Sequence, residues 1–227
     1  MIVYSKQVVF YILENHPKII KQIFLTKDLD KKLFRKFMDI GVKIIRPDNK
    51  KAQALAKGGN HQGYLLEIDD FEFASLSSVK QDDFILVLDG LSDVGNIGAI
   101  VRSAYALGVD SLIICGLKHF NPEGVVRTSS GAMLDLPVAL CDNSYDLANE
   151  LKQVGFKLLG ADMHGHDIKT IQRDKEQPIA LFLGNESTGL SNKLKKKLDI
   201  KVSIGMKNNF DSLNVSVAAG ILIHQLR

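Results

Sequence analysis

A β-strand with one face in water alternates apolar and polar residues, because successive side chains point to opposite faces. Three runs of this chain do not alternate: FILVLDG (84–90), SLIIC (111–115) and IALFLG (179–184). Strands apolar on both faces need cover on both, which a parallel sheet flanked by helices supplies. The intervening segments meet that need. NIGAIVRSAYALG (96–108) has helical apolar spacing and ends on Gly, where helices commonly stop. A second helix is expected around 147–154, and PVALC, KLLGA and IKVSI add strand-length runs. Residues 84–227 therefore read as an α/β domain on a parallel sheet.

The first third is organised differently. Helical spacing over 5–15 is followed by a strand at QIFLT (22–26), a helix over 31–40 and a strand at VKIIR (42–46). A short helix over 50–57 and a strand at GYLLEI (63–68) complete a small α/β domain spanning 1–70. DDFEFASLSSVKQDD (69–83) holds no sustained period, so 71–83 is the expected linker. Residues 1–80 carry 14 Lys and Arg against 9 Asp and Glu, whereas residues 81–227 carry 15 against 17. A basic module beside a near-neutral one points to a polyanion partner, and a solvated lysine-rich surface explains the charge equally well. No run of eighteen apolar residues exists and the N-terminal stretch lacks a basic region before an apolar core, so neither a membrane span nor a signal peptide is expected. Cys115 and Cys141 fit no metal spacing or disulfide framework and read as reduced core thiols of a cytoplasmic chain.

Ligands of parallel α/β sheets bind beyond the carboxyl ends of the strands. Four loops lie there: DGLSDVGNIG (89–98), GADMHGH (160–166), LGNESTGLS (183–191) and IGMKNNFDSLN (204–214), all rich in Gly and polar residues. None has the glycine spacing of a dinucleotide or Walker A loop, and no H-E-x-x-H or G-x-S-x-G occurs. His164 and His166 lack a third ligand nearby, so no metal site is expected. KLKKK (193–197) suits either phosphate binding or a solvated helix face. DSLNVSVAAG (211–220) places polar groups at the mouth of an otherwise apolar helix. Asp211 or Ser212 can cap a helix over 213–226, which accounts for one of these polar residues better than for two. That helix is apolar around most of its circumference, so something covers it, either its own chain or another.

LDGLSDVGNIGAIVRSAYALGVDSLII (88–114), LFLGNESTGLS (181–191) and SLNVSVAAGILI (212–223) resemble, in order, the three motifs of the SpoU/TrmH family of the SPOUT class. These are RNA ribose 2′-O-methyltransferases that use S-adenosyl-L-methionine. The first segment, with NHQG at 60–63, resembles the L30e-like substrate-binding domain of many members. The resemblance implies a trefoil knot at the carboxyl end and a homodimer through the C-terminal helix. It implies that Leu183 and Gly184, Ile204 and Met206, and Ser212 with Leu213 and Asn214 meet around the cofactor. The compact length and NHQG are most similar to enzymes that methylate a guanosine ribose in 23S ribosomal RNA, with transfer RNA the alternative substrate and a non-catalytic RNA-binding assembly factor the alternative function. KNN (207–209) before FDSLN is bulkier than that family's usual loop.

Methyl transfer to a ribose 2′-OH requires a group that draws off the proton and a clamp on the adjacent phosphate. By the resemblance, Arg102 faces the target nucleotide. Guanidinium stays protonated and grips phosphate bidentately, so it suits the clamp, while family proposals also give it the proton. Glu186 can orient Arg102 or accept the proton itself. Asn96 and Asn214 supply neutral hydrogen bonds, and Ser212 bonds the cofactor or caps the helix. Asn96 and Arg102 are six residues apart and do not share a helix face, so they are expected to meet through a bend at VGNIG.

Overall fold

The computed structural model describes residues 1–207 and 212–227. The expected cap Asp211 and the Asn208, Asn209 and Phe210 of the bulky loop lie outside the described residues. The chain forms two compact units: Met1–Glu72 with Asn121–Leu134, and Phe73–Phe120 with Asp135–Arg227.

The first unit begins with β1 (Ile2–Tyr4), α1 (Lys6–Asn15), β2 (Ile20–Leu25), α2 (Lys31–Met38), β3 (Lys43–Ile45), α3 (Asn49–Leu55) and β4 (Tyr64–Ile68). Its sheet has the order β1-β4-β2-β3, with β4 antiparallel to both neighbours and β2 parallel to β3. Val3, Val9, Ile12, Ile23, Phe37 and Leu65 are wholly buried between sheet and helices. Asp30 and Asp48 start α2 and α3 by accepting the Leu33 and Lys51 backbone N–H groups, at 2.9 and 2.7 Å. The β1 strand, three residues long, is too short to show a period.

The second unit opens with α4 (Leu76–Val79), within the expected linker, then β5 (Phe84–Asp89), α5 (Val94–Ala106) and β6 (Ser111–Cys115). The chain then contributes α6 (Pro122–Thr128) to the first unit. It returns as β7 (Val138–Cys141), α7 (Ser144–Gln153), β8 (Lys157–Asp167), β9 (Ile179–Gly184), α8 (Asn192–Lys195), β10 (Ile200–Ser203) and α9 (Val215–Leu226). The six-stranded sheet runs β10-β8-β9-β5-β6-β7, and every pairing is parallel. The doubly apolar runs β5, β6 and β9 lie inside it, where both faces are covered. Gly108 follows α5 at φ +75°, a conformation that the helix end favours and that other residues resist.

Three local expectations are corrected. The helix expected from Asn96 begins at Val94, because the Asp93 carboxylate caps it by accepting the Asn96 N–H at 2.6 Å. Gly95 and Gly98 are helical, so VGNIG makes no bend. The GADMHGH segment, expected as loop, is strand: β8 pairs with β10 in two stretches, the register jumping from Gly160 at Lys201 to His166 at Val202. Gly165 beside that jump has no room for a side chain, since an added Cβ would lie 2.6 Å from the Lys201 carbonyl carbon.

Phe182 on β9 is wholly buried within the cluster that includes Ile85, Val87, Ile113 and Leu158. Phe182→Ala should destabilise the fold by about 3–5 kcal/mol, measured by chemical denaturation.

Candidate functional site

At the carboxyl edge of this sheet, three segments are held by backbone constraint. The turn after β9 is closed by a bridge between Asn185 and Gly189, the latter at φ +63°. Gly184 admits no side chain, because an added Cβ would lie 2.3 Å from the Gly189 carbonyl carbon. Asn185 Oδ1 accepts the Ser187 N–H at 2.9 Å, and its Nδ2 donates to the Gly90 carbonyl at 3.0 Å. The turn after β9 is thus tied to the turn after β5.

With the end of β10 and the start of α9, this turn encloses a cleft of about 510 Å³. Leu183, Gly184, Ile204, Met206, Ser212 and Leu213 all line it, as do Glu186 and Asn214. Val202, Ala218 and Leu222 add apolar wall, and Asp162 adds a carboxylate from the part of β8 opposite the register jump. The volume falls within the range of about 300–1,000 Å³ usual for small-molecule sites. An apolar wall with a few convergent polar groups suits a ligand that has both a flat apolar part and polar ends.

Asn214, not Ser212, is the N-cap of α9. Its Oδ1 accepts the Ser216 N–H at 2.9 Å and the Ser216 hydroxyl at 2.5 Å. A backbone N–H can only donate, so Asn214 must turn its oxygen to the helix and its Nδ2 outward. That Nδ2 donates to Asn96 Oδ1 at 3.0 Å. Asn96 is then left with its own Nδ2, which donates to Glu186 Oε1 at 2.8 Å. One helix cap fixes the orientation of both amides and of the carboxylate.

The structure therefore joins Asn96, Glu186 and Asn214 by direct hydrogen bonds. Arg102 occupies an exposed position on α5. Six helical residues span about 600° of rotation, so on this unbent helix it faces a different side from Asn96. Ser212 lines the cleft and does not cap. Asp162, Asn185 and Ser216 were missed by sequence reasoning. An acid in a loop following a strand was the available signal for Asp162, whereas Ser216 inside an apolar helix gave none.

Burial pushes the Asp162 carboxyl up, and the His164 N–H at 2.9 Å together with the Lys195 ammonium at 2.9 Å outweigh it, leaving the pKa below the usual aspartate value of 3.8. His164 and His166 are exposed, and among the described residues no group of three or more His, Cys, Asp or Glu is placed to hold a metal ion. Cys115 is buried and Cys141 half-buried, both free. No helix among the described residues is long and apolar enough to cross a membrane.

The model of the SpoU rRNA Methylase family matches residues 83–224. The chain belongs to this family. A second model, RNA 2′-O ribose methyltransferase substrate binding, matches residues 2–74 of this SpoU-family chain. It is 33% identical over 187 residues to an uncharacterized tRNA/rRNA methyltransferase of Archaeoglobus fulgidus, covering 82% of this chain and 80% of that one. It is 30% identical over 195 residues to the putative TrmH family tRNA/rRNA methyltransferase YacO of Bacillus subtilis, covering 82% and 77%. Among solved structures it is similar to the SpoU methyltransferase AviRb of Streptomyces viridochromogenes in complex with AdoMet. That likeness has a TM-score of 0.75 and 25% identity over 100% of this chain and 88% of that one.

Two outcomes follow from this geometry in the SpoU-family chain. Asn214→Ala removes the cap and should cost about 1 kcal/mol in unfolding free energy, while Asn214→Ser keeps a capping oxygen and should stay within a few tenths of wild type. A folded-state pKa held below the unfolded one adds stability above the ordinary aspartate range, lost as the pH falls through the lowered value. Asp162→Asn should therefore lower the melting temperature at neutral pH and flatten its fall as the pH drops from about 4.

Proposed function

We propose that the protein transfers a methyl group from S-adenosyl-L-methionine to a ribose 2′-OH of RNA, at a guanosine of 23S ribosomal RNA. The observation that carries the proposal is the convergence of the β9 turn, the end of β10 and the α9 cap on one cleft beside the Asn214–Asn96–Glu186 chain. Bound S-adenosyl-L-methionine would supply an electrophilic methyl group on its sulfonium. Leu183, Ile204, Met206 and Leu213 would take its apolar surface, and Gly184 and Ser212 its polar edges. AviRb, at 25% identity, carries AdoMet.

Within that proposal each residue has a task. Glu186, its carboxylate oriented by Asn96, takes the proton from the 2′-OH, so the oxygen can form its new bond to carbon. Arg102 clamps the neighbouring phosphate with its planar fork. Asn96, itself fixed by Asn214, holds the carboxylate in one orientation.

The first unit is the RNA reader in this proposal, which rests on the substrate-binding family match and on the basic surplus of residues 1–80. We further propose a homodimer through α9, with the trefoil knot that the family resemblance implies. Val217 and Ile221, one turn apart on α9, leave 51% and 39% of their surface exposed, and Met163 leaves 69%. An apolar stripe of that kind favours a covering partner. The cytoplasm is the proposed location, in keeping with two unpaired thiols.

The deciding experiment incubates the protein with methyl-labelled S-adenosyl-L-methionine and total RNA, then digests the separated RNAs to nucleosides. The expected product is 2′-O-methylguanosine in 23S RNA. Label confined to transfer RNA would reassign the substrate, and label on bases would reject the reaction. Glu186→Ala and Arg102→Ala should each slow transfer about a hundredfold or more with the fold intact, and Arg102→Lys should remain poor. Light scattering should give about twice the 25.1 kDa chain mass.

A further inference from the structure

The KLKKK run divides its charges between two clefts. Leu194 is wholly buried and anchors the short helix α8, whose start is capped by the Ser191 hydroxyl at 3.2 Å from the Leu194 N–H. Lys195 turns into the cleft already described and pairs with Asp162. Lys193, Lys196 and Lys197 line a second cleft of about 650 Å³, with Tyr145 from the first turn of α7 opposite them. The Lys197 ammonium lies 5.0 Å from the Tyr145 ring centre, which holds that side chain across the opening.

These three ammonium groups have no acidic partner among the described residues. The acids at hand are already engaged: Glu150 with Lys80, Asp199 with Lys152 and Asp162 with Lys195. Asp142, just before α7, and Asp146, in its first turn, do not line the cleft. Like charges gathered on one concave face repel until a counter-charge arrives. The cleft is concave and positive, and no carboxylate among the described residues supplies its counter-charge.

We propose that this second cleft docks backbone phosphates of the substrate RNA, at nucleotides flanking the one that is methylated. The inference rests on the RNA methyltransferase reading above. RNA is favoured over an acidic protein segment because one stretch, residues 183–197, walls both clefts. A polyanion whose ribose enters the first cleft thereby presents its neighbouring phosphates to the lysines of the second.

The test replaces Lys193, Lys196 and Lys197 together with Ala in the full-length protein, leaving Lys195 with its Asp162 partner. Filter binding of deproteinised 23S RNA is then followed across a salt series. Each phosphate contact contributes about 0.7–0.9 to the log–log salt slope, so the slope should fall by about two to three units. Affinity near physiological salt should drop at least tenfold, while calorimetric binding of S-adenosyl-L-methionine stays unchanged. The triple Arg variant keeps the charges and should keep the slope; its loss there too would indicate a purely structural role and overturn the inference. Unchanged affinity and slope in the Ala variant, with wild type binding RNA, would overturn this inference alone. Wild type failing to bind RNA would overturn the functional reading and this inference with it. Binding of poly-L-glutamate that the Ala substitutions abolish, with RNA affinity retained, would assign the cleft to an acidic protein instead and so overturn it.

Discussion

The first turn of α9 has backbone N–H groups that no residue of the helix can accept, and one of them decides the orientation of a whole side-chain chain. Ser216 donates to Asn214 Oδ1, so Asn214 can only donate to Asn96, and Asn96 only to Glu186. Magnitudes separate what the cap does from what packing does. Burial of Leu222, Ile223 and Leu226 contributes about 1.5–3 kcal/mol each, whereas a cap contributes about 1 kcal/mol. Packing against α5 therefore determines where α9 lies, and the cap determines where it begins. Because the cap residue also starts the donor chain, the helix cannot begin elsewhere without releasing Glu186.

The turn after β9 supplies a rigid counterpart. Gly184 and Gly189 allow its backbone to close on itself, and the Asn185 amide binds it to Gly90 on the turn after β5. Glu186 thus sits at the apex of a turn held from both sides while its own side chain is exposed. An exposed carboxylate would ordinarily lose rotamer entropy to be held in one place. Here the bond from Asn96 holds it, and Asn96 stands on the first turn of a helix capped by Asp93.

The three non-alternating runs were legible as buried parallel strands because no other environment covers both faces of a strand. The limits of that legibility are equally local. VGNIG looked like a bend because it holds two glycines, yet the Asp93 cap three residues before Asn96 makes those residues helical. GADMHGH looked like a loop because its strand character depends on the register jump against β10, which lies some forty residues further along the chain. Asp211, Ser212 and Asn214 are all acceptable caps, and only the packed position of α9 selects among them. Nothing in residues 121–134 announces that they join the first unit. Leu183, Gly184, Ile204, Met206, Ser212, Leu213 and Asn214 came from family resemblance and not from periodicity, since Leu183 and Ile204 look like ordinary strand ends.

Net charge was a poor guide to where an anion can bind. Residues 81–227 hold two more acids than bases, which suggests indifference to a polyanion. What matters is which charges are already spent on each other. The strand β8 bulges opposite β10 and carries Asp162 inward to Lys195, while Asp199 just before β10 engages Lys152 and the backbone N–H of Leu158. Both carboxylates are consumed by the construction of the sheet edge. Their removal from the local balance leaves Lys193, Lys196 and Lys197 without an acidic partner among the described residues. A strand irregularity that looks like a packing detail therefore shapes the potential on the opposite side of α8. It does so through pairings separated by tens of residues, which a sum over composition averages away.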